Sequence, residues 1–208
     1  MRSIPARLIA AVAVLATLCL LAACGGADNS SDQSGTDTSD APVITGEPAG
    51  YNSADVSFAT AMVPHHQQAI DLSTMAAQNS TNPELIAMAN QIVAAQQPEV
   101  NILNVFLVQW NENPEIRSGP DTGDGAGPAP TEGMIDDATV ARLGSMRGPD
   151  FDKLWLQSMI TQHQGAVAIA QSEIDDGKNV DAVAVAKTIL SGQQADIAHM
   201  KKMLEGMP

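Results

Sequence analysis

Residues 55–75 read DVSFATAMVPHHQQAIDLSTM, and residues 152–172 read DKLWLQSMITQHQGAVAIAQS. Laid over one another at an offset of 97, they agree at Asp55/Asp152, Met62/Met159, His66/His163, Gln67/Gln164 and Ala69/Ala166. Conservative pairs fill the gaps: Phe58/Trp155, Val63/Ile160 and Ile70/Val167. The correspondence runs on unbroken through Ile92/Ile189, Gln96/Gln193, Gln97/Gln194, Glu99/Asp196 and Val100/Ile197 to Leu107/Leu204. It marks residues 55–107 and 152–204 as an internal repeat.

Each repeat reads as two helices. In the first, Phe58, Met62, His66, Ala69, Ile70, Ser73 and Ala77 recur at helical spacing. Asn52 or Ser53 can cap its start. Asn82-Pro83 is a helix-start pattern, with proline at the first helical position, and the second helix is expected to run to about Trp110. Pro64 and Pro98 fall inside these helices, where kinks are expected. In the second repeat Trp155, Met159, His163, Ala166, Val167, Ala170 and Ile174 share a face, and Gly177 stops the helix before a turn. The last helix should end near Leu204. Between the repeats, Asn111 to Gly133 is dense in Gly and Pro, and a short helix is expected from Asp137 to about Met146. No stretch alternates like a strand. The expected fold is all-α: a four-helix bundle made of two tandem helical hairpins joined by a long crossover.

The N-terminus reads as a secretion signal over residues 1–23. Arg2 and Arg7 precede an apolar run, LIAAVAVLATLCLLAA, from Leu8 to Ala23. That run is shorter than the ~20 residues a spanning helix needs. Leu21-Ala22-Ala23-Cys24 resembles a lipobox, which makes Cys24 the expected lipid-bearing first residue of the mature protein. Residues 24–51, rich in Ser, Asp, Gly and Thr, cannot bury enough surface to offset their ordering entropy and read as a disordered acidic tether. The bundle domain is then 52–208.

The chain holds two cysteines, Cys19 and Cys24, so the mature domain has no thiol for a disulfide or a zinc site. It carries 10 Lys+Arg against 24 Asp+Glu, a net charge of −14. Loss of Arg2 and Arg7 makes the mature form more acidic still. Nucleic acid is therefore excluded as a partner. The expected partner is the membrane, through the lipid anchor on the extracytoplasmic side.

The repeat keeps polar residues on the expected core face. His66 lies one turn from Met62, and His163 one turn from Met159. On the partner helices Gln96 and Gln193 lie near the apolar stripe, with Glu99 and Asp196 one turn further. At about 1.5 Å per residue these groups stand at nearly the same height. Buried polar groups must be paired or bind something. One reading is a hydrogen-bond network. The other is a soft-metal site, because thioether and imidazole suit Cu(I) or Ag(I). The candidate ligands are Met62, His66, Met159, His163 and His65, with Gln96, Glu99, Gln193 and Asp196 as supporting partners. His199, Met200 and Met203, with Asp196, form a possible second cluster.

The phrases MVPHHQQAIDLSTMA and FDKLWLQSMITQHQGAVAIAQSE, each followed by a Gln-Gln-x-(Glu/Asp) pair, resemble the bacterial family catalogued as domain of unknown function 305. The resemblance covers Asp55 to the C-terminus. It implies a ferritin-like helical bundle and, for some members, copper or silver binding outside the cytoplasm. The family pattern has His-His in both repeats. Here the second repeat has Gln162-His163, and the counterparts of Asp71 and Met75 are Ala168 and Ser172. These losses imply one shared or one first-repeat site. A di-iron enzyme would need Glu-x-x-His motifs, and the chain has none. No nucleophile elbow, phosphate loop or dinucleotide fingerprint is present. The expectation is a non-enzymatic lipoprotein that binds or buffers a soft metal, or else a structural or protein-interaction lipoprotein without metal.

Overall fold

The computed structural model describes residues 50–112 and 132–207. The signal, Cys24, most of the tether and residues 113–131 of the crossover lie outside the described residues. Five helices are present: α1 (Ser53–Asn79), α2 (Pro83–Glu112), α3 (Asp137–Ser145), α4 (Gly148–Asp176) and α5 (Val180–Glu205). The described residues contain no extended strand. None of these helices is long and apolar enough to cross a membrane.

Local chemistry sets the boundaries. Asn52 caps α1 through a reciprocal capping box with Asp55. The Asn82 side chain accepts from Glu84 N and Leu85 N to open α2. Asn179 does the same for α5, accepting from Asp181 N and Ala182 N. Gly177 closes α4. Pro64 and Pro98 both sit inside continuous helices.

The extensive faces are α1 on α2, α4 on α5, and α1 on α4, whereas α2 and α5 barely touch. Helices α1 and α4 run antiparallel. Asn52, His65 and Leu72 of the first segment meet Asp176, Gln162 and Trp155 respectively. Two apolar clusters flank this seam. One contains Phe58, Met62, Leu103, Ala166 and Ile189. The other contains Trp155, Met159, Met200, Ala69 and Ile92. Members of the two sets correspond at the 97-residue offset, so each hairpin supplies both clusters with equivalent side chains.

At one end of the seam a buried carboxylate ties three segments together. Asp55 is fully buried. Its Oδ1 accepts from Lys178 N at 3.1 Å and Asn179 N at 2.8 Å, and its Oδ2 accepts from Asn52 N at 2.6 Å. The buried Glu173 sits beside it. Burial first, then the proximity of Asp55 and Asp176, pushes the Glu173 carboxyl up to about 9.

Candidate metal centre

The middle of the α1–α4 seam is polar. His65, His66, Gln162 and His163 are all fully buried there. Met62 and Met159, one turn back from His66 and His163, are also fully buried, but in different clusters, one toward each end of the seam. Gln96 and Gln193 are buried on α2 and α5. Glu99 and Asp196 are partly exposed, with 19 % and 32 % of their side chains accessible.

Each histidine has a distinct set of partners. His65 Nε2 lies 3.0 Å from the Glu132 carbonyl, and its Nδ1 lies 2.8 Å from Gln162 Nε2. Both ring nitrogens are thus engaged. Desolvation, aided by His66 and His163 nearby, pushes the His65 ring down to about 4. His66 Nε2 lies 2.9 Å from Glu99 Oε2 and donates to it, while its Nδ1 is buried with no hydrogen-bond partner. His163 Nδ1 lies 3.0 Å from Gln162 Oε1. Its Nε2 is buried without a hydrogen-bond partner, 3.6 Å from Asp196 Oδ2. Burial lowers the His163 pKa, opposed by Asp196. His163 also feels the charge of His66, so the rings share one neighbourhood. Both amide atoms of Gln96 and the Oε1 of Gln193 are likewise buried without partners.

A strap from the end of the crossover lies over this group. Glu132 O holds His65, and Gln68 exchanges two 2.8 Å hydrogen bonds with the backbone of Ile135. The strap sits against Gly165 so tightly that a Cβ there would run into the Glu132 carbonyl and lie 2.8 Å from Gly133 Cα. Gly133 has φ +77°, a conformation that suits glycine. A Gly165→Ala substitution is therefore expected to lift the strap and cost about 1–3 kcal/mol. Urea unfolding checks this, and a change within 0.5 kcal/mol would mean the close approach is not required.

The second cluster is not gathered in the same way. His199 is exposed and bonded to Glu84 at 3.2 Å, whereas Met200 and Met203 are buried in the core. Asp71 takes a hydrogen bond from Gln67 on an exposed face. Among the described residues no three His, Cys, Asp or Glu side chains are grouped to hold a cation. The residue that sequence reasoning passed over is Gln162. In sequence it is only a histidine missing from the second repeat, yet it sits at the centre of the network. Its 97-residue correspondence with His65, which it touches, was the available signal.

The DUF305 family model, a domain of unknown function, matches residues 55–204. The chain belongs to the DUF305 family. No curated protein matches it. Among solved structures it resembles a DUF305 protein from Streptomyces coelicolor, assigned as secreted, at 26 % identity and a TM-score of 0.65. That match covers 74 % of this chain and 93 % of the other. It also resembles a DUF305 fragment from Deinococcus radiodurans, at 26 % identity and a TM-score of 0.62, covering 76 % and 99 % of the two chains. A third relative is CopM in its Cu(I)-bound form, at 28 % identity and a TM-score of 0.58, covering 73 % and 95 %. CopM is also known bound to silver and to Cu(II). This DUF305 domain shares their helical fold.

Proposed function

We propose that the protein is an extracytoplasmic lipoprotein, anchored through Cys24, that binds a soft metal ion, Cu(I) or Ag(I). In this reading the domain is a four-helix bundle of two tandem hairpins related by a near-twofold axis that crosses the α1–α4 seam at right angles to the helices. The contact of His65 with its own counterpart Gln162 supports that axis. The reading is non-enzymatic, with the membrane as partner and no nucleic acid.

One observation carries it. Two imidazole nitrogens, His66 Nδ1 and His163 Nε2, are buried without hydrogen-bond partners, and each ring is one turn from a buried methionine. Leaving such atoms unsatisfied costs free energy, so a native site holding them calls for a reason. His66 has the arrangement expected of a metal-binding histidine, one nitrogen donating to a carboxylate and the other left free. Thioether and imidazole donors favour Cu(I) or Ag(I). His66 and His163 would hold the ion, with Met62 and Met159 as thioether candidates. The ion would be cargo, held reversibly by these donors. The copper- and silver-bound forms of CopM support this reading, and the secreted relative supports the location.

Anaerobic competition against a Cu(I) chelator tests it. Wild type is expected to take copper from the chelator, and a folded His66→Ala/His163→Ala protein is expected to lose at least about tenfold in affinity. Equal binding by the double variant would move the ion elsewhere. The alternative, a structural or protein-interaction lipoprotein without metal, is favoured by one observation: His65, Gln162, His66 and Glu99 already pair with protein partners. Under that alternative wild type takes no copper and the double variant merely unfolds more easily.

A further inference from the structure

Two backbone carbonyls determine the hydrogen-bond directions in the seam. A carbonyl oxygen only accepts. The Gln162 atom 2.7 Å from the His65 carbonyl is therefore its amide nitrogen, which fixes the orientation of the amide. The same nitrogen lies 2.8 Å from His65 Nδ1, so that ring atom presents its lone pair. The Glu132 carbonyl, 3.0 Å from His65 Nε2, requires an N–H there. His65 is thus a neutral Nε2–H tautomer with no nitrogen to spare. The other end of the amide is an oxygen, which also only accepts. His163 Nδ1, 3.0 Å away, must carry the hydrogen. The lone pair of a neutral His163 is then on Nε2, buried and 3.6 Å from Asp196 Oδ2. Two acceptors face one another there, an arrangement that favours a cation.

We infer that Gln162 is the positioning residue of this centre: it holds His163 as the Nδ1–H tautomer, so that Nε2 is the donor, and removes His65 from the donor set. The inference rests on the metal-binding reading above and names how that site is set. Gln162 touches no ion. It acts through the two rings, one on each helix of the seam. The usable nitrogens become one Nδ1 on His66 and one Nε2 on His163, an asymmetric pair in a chain whose sequence repeats.

Nitrogen-15 NMR of histidine-labelled protein without metal reads the tautomers directly, and Ag(I) titration of the same samples reads the consequence. Wild type is expected to show His65 as Nε2–H and His163 as Nδ1–H. Gln162→Leu removes the accepting oxygen and is expected to switch His163 to the Nε2–H form, donating to Asp196, with Ag(I) affinity falling about 10- to 100-fold. Gln162→Glu keeps accepting oxygens and is the control if the leucine variant does not fold. It is expected to keep His163 as Nδ1–H and to alter only His65, which loses its amide donor. A wild-type His163 protonated at Nε2 overturns the inference. So does a Gln162→Leu protein whose His163 stays Nδ1–H, or one whose tautomer switches while Ag(I) affinity is unchanged. A wild type with the stated tautomers that binds no Ag(I) overturns the metal reading instead and leaves the tautomer assignment standing.

Discussion

Replacing Glu173 by glutamine is expected to stabilise the domain at neutral pH, and increasingly so toward pH 9. Glu173 is 1 % exposed, and its carboxyl titrates at about 9 in the folded chain against an ordinary 4.5. Between those values the folded protein holds a proton that the unfolded chain has released. Stability therefore falls as pH rises from about 4.5 to about 9 and then levels off. At pH 7 the folded state carries a penalty on the order of 3 kcal/mol from this group. An amide matches the neutral acid in shape and has nothing to ionise. Urea titrations at pH 5, 7 and 9 should show the Glu173→Gln advantage grow from near zero to several kcal/mol. A variant less stable than wild type at every pH would show that the carboxyl is held there for a bond the amide cannot make. The repeat sharpens this expectation, because the counterpart of Glu173 is Ala76, which is also fully buried. The position does not need a carboxyl in order to pack.

Trp155→Ala is expected to be the most damaging single core truncation, at about 3–5 kcal/mol. The indole is fully buried, and its Nε1–H donates to the Leu72 carbonyl across the α1–α4 seam at 2.9 Å. Removing it opens a cavity beside Phe151, Leu156 and Met159 and cuts a direct link between the two central helices. For a domain of this size the melting temperature should drop by about 10 °C or more. A loss under about 1 kcal/mol would mean that the seam collapses to refill the space.

Helix positions were legible because they are local. Asn52, Asn82-Pro83 and Gly177 mark boundaries by chemistry that acts over one turn, and the helices begin or end there. Placing His66 and His163 on a buried face needed only the 3.6-residue period and the apolar neighbours around them. Level-matching along the α1–α2 hairpin sets Gln96 opposite His66, whereas the ring bonds Glu99, one turn further. What the sequence hid were contacts made across the seam and the crossover. Gln162 meets His65 over 97 positions, and the Glu132 carbonyl reaches His65 over 67. A backbone carbonyl leaves no residue-type signature at all. Likewise nothing local to Asp55 shows that it receives the α4–α5 turn from more than 120 positions away. Side-chain type limits which bonds a residue can form. Only the antiparallel register of α1 and α4 decides which ones are made.

In the proposed function His66 and His163, with methionine sulfur, hold a soft ion in the seam. X-ray absorption of the Cu(I)-loaded mature domain, which has no cysteine, tests this most directly. A mixed shell of imidazole nitrogen and thioether sulfur is expected in the wild type, with the nitrogen contribution lost in the His66→Ala/His163→Ala protein. A shell of oxygen and nitrogen alone, or a copper environment unchanged by the double substitution, would contradict it.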